Sequence, residues 1–264
     1  RMAQALVLPL LRRGELSPEE VFAVVGHPKS VTRLLGDLPK GLRLVASSDP
    51  GAAEVWRAPV QLLAVKPQQL VAVEKQLHSH VSSISSPKPL LISLLAGVNL
   101  EHLQKSFPGH VCVRAVPNTP AMVGSGLTGL AWGDGITDDQ RKSVQNIFSP
   151  ISEVIELPES QLDAFLALTS SGPAYVAVIV EALADGAVAA GLPRALALHL
   201  AHRTLAGTAS LFKEMDLHPG QLKDMVTSPG GTTITALRHL EMAGMRSALI
   251  EAVVLAAERS RELA

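Results

Sequence analysis

Leu90-Leu91-Ile92-Ser93-Leu94-Leu95 and Val60-Gln61-Leu62-Leu63-Ala64-Val65 decide the fold. Both runs are almost continuously apolar, the signature of strands buried on both faces, as in a parallel sheet covered by helices. Around them, helix-like and strand-like signals alternate. Ala3 to Arg13 reads as a helix closed by Gly14, and Val21 to Val25 as a strand ended by Gly26-His27-Pro28. Val31 to Leu38 is a helix, Leu42 to Val45 a strand, and Asp49-Pro50 caps a short helix reaching Arg57. Beyond Leu95 come a helix at Asn99–Lys105, strands at Val111–Val116 and Leu127–Trp132, a helix at Asp138–Phe148 and a last strand at Ile151–Leu157. This rhythm predicts a doubly wound α/β domain over residues 1–157.

At Pro158 the pattern changes. From 158 to 264 the spacing predicts helices alone: Ala174–Ala190, Pro193 to about Glu214, Thr232–Ala243 and Arg246–Leu263. A helix apolar nearly all round needs neighbours on every side. This second part is therefore expected to be buried in a homo-oligomer, with a compact monomeric bundle as the alternative. Ser82–Ser86 reads as a surface loop.

Composition excludes several function classes. Of 264 residues, 23 are basic and 24 acidic, for a net charge of −1. No cationic surplus is present for wide phosphate-backbone contact, which argues against nucleic acid as a partner. The single cysteine, Cys112, excludes a disulfide framework and reads as a small buried hydrophobe. No uninterrupted apolar run reaches the roughly 20 residues of a membrane span, and no leader precedes the first helix. A soluble, cytoplasmic protein is expected. His199 and His202 lack a third ligand, so no metal site is predicted. Glu181 and Asp185 share a helical face and are expected to pair with Arg194 or Arg203.

In an open parallel sheet, ligands bind beyond the carboxyl ends of the strands. Three loops there, Lys66-Pro67, Ala96-Gly97 and Pro117-Asn118-Thr119-Pro120, suit a flat, polar-edged cofactor ring. The G-x-G-x-x-G loop of a dinucleotide site is absent. The expectation is that this loop and the first strand, which sits in the middle of such a sheet, lie before Arg1. After Val25, Gly26-His27-Pro28-Lys29-Ser30 offers no acid for a ribose 2′-hydroxyl, while Lys29, Ser30 and Arg33 suit a 2′-phosphate. This favours NADP over NAD; the alternative is a solvated helix start with scattered basic residues.

The sharpest signal is Thr227-Ser228-Pro229-Gly230-Gly231-Thr232-Thr233-Ile234, directly before a helix. Helix N-termini present free N–H groups and the positive end of a dipole, so they bind carboxylates. Two glycines and four hydroxyl residues exceed what a cap needs. Thr169-Ser170-Ser171-Gly172-Pro173 is either a second donor cluster or only an N-cap.

These stretches resemble one family. Asp224 to Thr233, continuing to Leu237 and Glu241, is similar to the signature of pyrroline-5-carboxylate reductase. Ala64-Val65-Lys66-Pro67, Leu95-Ala96-Gly97-Val98, Arg114 to Pro120 and Ser171-Gly172-Pro173-Ala174-Tyr175 resemble its other landmarks in order, and Arg1-Met2-Ala3 matches the residues after its glycine motif. The resemblance implies a Rossmann-like domain, its first strand absent from this chain, followed by an all-helical dimerisation domain. It implies an oxidoreductase that passes hydride from NADP(H), or NAD(H), to the C=N carbon of 1-pyrroline-5-carboxylate. Ser228, Gly230, Gly231 and Thr232 would hold the substrate carboxylate. Thr233 would hydrogen-bond the ring nitrogen as the catalytic residue. Met2, His27, Lys29, Ser30, Ala64, Val65, Lys66, Pro67, Ala96, Gly97 and Asn118 would contact the cofactor. Ala167, Thr169 and Ser170 stand where the family has Gly, Ser and Gly. A β-hydroxyacid dehydrogenase or imine reductase of the same architecture is one alternative, though Ala174–Ala190 lacks the lysine of the former. A silent nucleotide-binding relative is the other.

Overall fold

The computed structural model describes residues 2–36, 38–80 and 88–263; Arg1 and the expected Ser82–Ser86 loop lie outside them. The first unit holds residues up to Ser170 together with 257 onward. In chain order it contains α1 (Met2–Arg12), β1 (Phe22–Val25), α2 (Pro28–Leu35), β2 (Arg43–Ala46), β3 (Val60–Leu63), α3 (Leu70–His80), β4 (Leu90–Ser93), α4 (Leu100–Ser106), β5 (Val111–Pro117), β6 (Gly126–Trp132), α5 (Asp138–Phe148), β7 (Ser152–Glu156) and α6 (Leu162–Thr169). The stretch after Asp49 is a 3₁₀ turn, Pro50–Arg57. Sequence periodicity missed α3 and α6.

The strands form two sheets. β1 and β2 pair in parallel; the second sheet runs β3-β4-β5-β6-β7. Among the described residues the two sheets share no paired strands. Gly26 and the turn after β3 nevertheless lie close: a Cβ on Gly26 would sit 3.7 Å from Gln69 Nε2. Two expectations need correction. First, β6 runs antiparallel to β5, because only the short Asn118–Ser125 connection separates them and a parallel return needs a crossover of a dozen or more residues. Second, β3 is not buried on both faces. Val60 and Leu62 remain 38% and 37% exposed while Gln61 and Leu63 are buried, since β3 is an edge strand of its sheet.

Two apolar layers flank the larger sheet. On one face, Leu63, Leu91, Cys112 and Val116 pack with Leu70 and Leu77 of α3, Leu103 of α4 and Leu162 of α6. On the other, Leu90, Ile92, Val113, Ala115 and Leu130 pack with Leu6 and Leu10 of α1 and Val144 and Phe148 of α5. Helix α6, which lies beyond the expected boundary at Pro158, thus belongs with the sheet. Fully burying an aliphatic side chain of this kind contributes about 1.5–3 kcal/mol, so these layers dominate the unit's stability.

The second unit, residues 171–256, contains α7 (Gly172–Ala189), α8 (Arg194–Met215), α9 (Pro219–Met225), α10 (Thr232–Met242) and the start of α11 (Met245–Glu262). Its core is small: Val180 and Ala184 of α7 against Ala197 and Ala201 of α8. Val178, Ile250 and Leu255 point outward, 64%, 56% and 58% exposed. Arg194 pairs with Asp185 as expected. Although sequence inspection found no uninterrupted span, Glu159–Ala189 is apolar and long enough to cross a membrane by length and composition alone. It is two helices, α6 and α7, interrupted at Ser170-Ser171.

Candidate active site

Two sets of loops carry the polar groups. The first lies at the carboxyl ends of the strands. After β1, His27 caps α2: its Nδ1 accepts a hydrogen bond from the Lys29 backbone N–H at 3.2 Å. The ring nitrogen is thereby committed to the helix start. Lys29 and Arg33 are exposed and form no ion pair with a described residue. After β3, Ala64-Val65-Lys66-Pro67 leads into a 3₁₀ turn, with Ala64 and Lys66 exposed. After β4, Gly97 adopts φ +75°; a Cβ there would strain the backbone, so glycine fits the turn. Met2 begins α1, half-buried.

Asn118 corrects the side-chain reading of the fourth loop. It is 4% exposed; its Nδ2 donates to the Thr169 carbonyl at 3.0 Å and its Oδ1 accepts from the Leu127 N–H at 2.8 Å. The amide spans β5, β6 and the end of α6 and is spent inside the fold, and the Asn118 carbonyl accepts from the Ala121 N–H at 3.2 Å. The second donor cluster also resolves as structure. Thr169 Oγ1 donates to the Phe165 carbonyl, and Ser170 Oγ reaches the Pro117 carbonyl at 3.4 Å. Ser171 makes no side-chain cap.

The second set is the 227–233 loop between α9 and α10. Thr227 Oγ1 donates to the Lys223 carbonyl, closing α9. Gly230 turns the chain at φ +69°, and the Gly231 N–H donates to the Ser228 carbonyl at 3.1 Å. Gly231 is the α10 N-cap and offers no side chain to it. The N–H groups of the first turn are therefore left for a ligand. A Cβ on Gly231 would fall 2.4 Å from Ser228 Oγ, so the absence of a side chain keeps that hydroxyl in place. The hydroxyls of Ser228, Thr232 and Thr233 bond to no described residue. This is an anion cradle: free N–H donors, a dipole's positive end and uncommitted hydroxyls. Such a terminus favours an anion by about 0.3–1 kcal/mol when exposed and up to about 2 kcal/mol when partly buried.

Other titratable groups are structural. Burial pushes the Cys112 thiol up to about 12, which leaves it inert. Burial also lowers His110 to about 4; its Nε2 lies 3.1 Å from Gln61 Oε1, and its Nδ1 has no partner. No cluster of metal-binding side chains occurs among the described residues.

A strand-end ligand edge on a doubly wound sheet, followed by a separate helical unit, fits one class: a Rossmann-like, nicotinamide-dependent oxidoreductase. The comparisons narrow it. The pyrroline-5-carboxylate reductase dimerisation family matches residues 159–263. Pyrroline-5-carboxylate reductase from Synechocystis is 48% identical over 263 residues, 99% of this chain and 94% of that one. The Escherichia coli K12 reductase is 36% identical over 99% of this chain and 94% of its own. Among solved structures, the Coxiella burnetii enzyme superposes with a TM-score of 0.83 at 32% identity, covering 100% of this chain and 95% of its own. A Plasmodium falciparum pyrroline carboxylate reductase with NADP bound gives 0.85 at 28% identity, covering 99% and 94%. The chain belongs to the pyrroline-5-carboxylate reductase family. Its helical part is a dimerisation domain, which accounts for the bare apolar faces of α7 and α11.

Proposed function

We propose that this chain reduces 1-pyrroline-5-carboxylate to L-proline in the cytoplasm, as a homodimer formed through 158–264, with residues 1–157 holding NADPH in preference to NADH. The observation that carries the reading is the α10 cradle: the hydroxyls of Ser228, Thr232 and Thr233 bond to no described residue, and the first-turn N–H groups beyond Gly231 receive no side-chain cap. A small carboxylate uses that set fully.

The strand-end residues fit a dinucleotide: Gly97 and Gly26 let backbone approach closely, and Lys29 and Arg33 are exposed cations that form no ion pair with a described residue. Lys29, Ser30 and Arg33 would hold the 2′-phosphate, and Ala64–Pro67 with Ala96–Gly97 would border the ring. When bound, the reduced nicotinamide supplies the hydride that the imine carbon accepts. Ser228, Gly230, Gly231 and Thr232 grip the carboxylate and fix which carbon is presented. The Thr233 hydroxyl hydrogen-bonds the ring nitrogen, where the product's N–H ends. A protonated cyclic imine is already electrophilic, so positioning substitutes for a strong general acid. The lack of lysine in Ala174–Ala190 favours imine over hydroxyacid chemistry.

The test is cofactor oxidation at 340 nm with 1-pyrroline-5-carboxylate and each nicotinamide in turn. Turnover with a higher kcat/KM for NADPH is expected; Lys29→Ala and Arg33→Ala should narrow that preference. Absence of turnover with both cofactors contradicts the reading.

A further inference from the structure

Beneath the Ala96–Gly97 turn lies a polar strip that neither the strands nor the cradle requires. Arg114, on β5, is 5% exposed as a residue, an expensive place for a cation without a counter-ion. Among the described residues its side-chain partner is Glu159, just before α6: Nη1 donates to Glu159 Oε1 at 2.8 Å, while the buried Nε finds no acceptor among them. The same Glu159 oxygen accepts a second hydrogen bond, from the Leu100 backbone N–H at 2.7 Å. Leu100 opens α4 directly after the Ala96-Gly97-Val98-Asn99 turn. At the other end of that turn, the Leu95 N–H donates to Ser93 Oγ at 3.3 Å, and Ser93 is the cross-strand neighbour of Arg114. Arg114 and Glu159 thus fix one end of the turn, and Ser93 fixes the other.

We propose that Glu159 is a positioning residue for the cofactor: through the Leu100 N–H it holds the Ala96–Gly97 turn at the height where the nicotinamide ring rests, and Arg114 holds Glu159. A buried ion pair serving only stability is readily replaced by apolar groups. This one instead aims an oxygen at a backbone donor of the ligand loop. Because the Asn118 amide ties the far end of α6 to β5, α6 is pinned at both ends, and Glu159 has little freedom to follow a displaced turn. The proposal rests on the reading that Ala96–Gly97 borders the cofactor.

Two double variants separate positioning from bulk stability. Arg114→Met with Glu159→Gln removes both charges but keeps an oxygen for Leu100; Arg114→Met with Glu159→Leu removes the charges and the acceptor. NADPH dissociation constants by fluorescence titration, melting temperatures, and KM for each substrate are measured on the full chain. The glutamine pair is expected within about threefold of wild type in cofactor Kd. The leucine pair should be weakened about tenfold, the size of one lost hydrogen bond, with the imino-acid KM within about twofold. Should the leucine pair fail to fold, Glu159→Asp, which keeps the charge but withdraws the oxygen, is read the same way. Equal cofactor affinity in the acceptor-keeping and acceptor-lacking variants, or a parallel rise in both KM values, overturns the proposal. Wild-type protein that binds no nicotinamide overturns the underlying reading instead.

Discussion

At the scale of single residues, the chemistry is concentrated in a few uncommitted groups. Thr233 is the clearest: its hydroxyl bonds to no described residue, and the proposed reaction gives it the ring nitrogen as partner. A hydrogen bond to a charged group contributes about 1.5–3 kcal/mol. Thr233→Ala is therefore expected to lower kcat/KM roughly ten- to a hundredfold, with Thr233→Ser recovering most of the loss; wild-type efficiency in the alanine variant refutes the role. His110 makes the opposite case, a titratable group used for structure. Its ordinary value of 6.5 falls to about 4 through burial, so the unfolded chain binds the proton first. Stability from this residue is full above about pH 6.5 and declines as the pH falls through 4, by about 3 kcal/mol in all. Urea unfolding at pH 7 and pH 4.5 should show a slope that His110→Gln flattens; an unchanged slope contradicts it. Thr233 was legible in sequence because glycines and hydroxyls crowd one helix start. The Arg114–Glu159 pair was not, since nothing local links residues that far apart. Asn118 was visible but misread: a polar residue after a strand looks the same whether it faces a ligand or a neighbouring chain segment.

Elements show the same division between local and tertiary information. Asp138–Phe148 appeared in sequence with the bounds found in the structure, because Thr137 and Gln140 write a capping box. Thr232–Met242 was equally plain after its glycines. Helix α3 was overlooked because its polar and apolar residues show a weak pattern, and α9 because seven residues make little periodicity. Strand direction lay wholly outside local signals: β6 reads like β4 or β5 yet runs the other way. The α9–α10 loop yields an element-scale prediction. Gly231 has φ −78°, open to any residue, but its Cβ would meet Ser228 Oγ at 2.4 Å. Gly231→Ala should therefore leave the melting temperature within a few degrees and raise the KM for 1-pyrroline-5-carboxylate about tenfold, the loss of one Ser228 hydrogen bond. An unchanged KM would show that the Ser228 hydroxyl does not touch the substrate.

For the molecule as a whole, apolar patterning announced both the sheet and the need for a partner. The helices of 171–256 expose large side chains that a lone bundle would bury, and the family match supplies the reason, a dimerisation domain. The alternative of a compact monomeric bundle gives way to it. The strands divide into two sheets, β1-β2 and β3-β4-β5-β6-β7. The central claim is that an imino acid is held by its carboxylate at the start of α10 while its ring faces the cofactor edge. The most direct measurement is a crystal structure of the assembled protein with proline and NADP. The account predicts the carboxylate within hydrogen-bond reach of the Thr232 and Thr233 N–H groups and the ring nitrogen beside the Thr233 hydroxyl. Proline bound elsewhere, with the Gly230–Thr233 turn open to solvent, would contradict it.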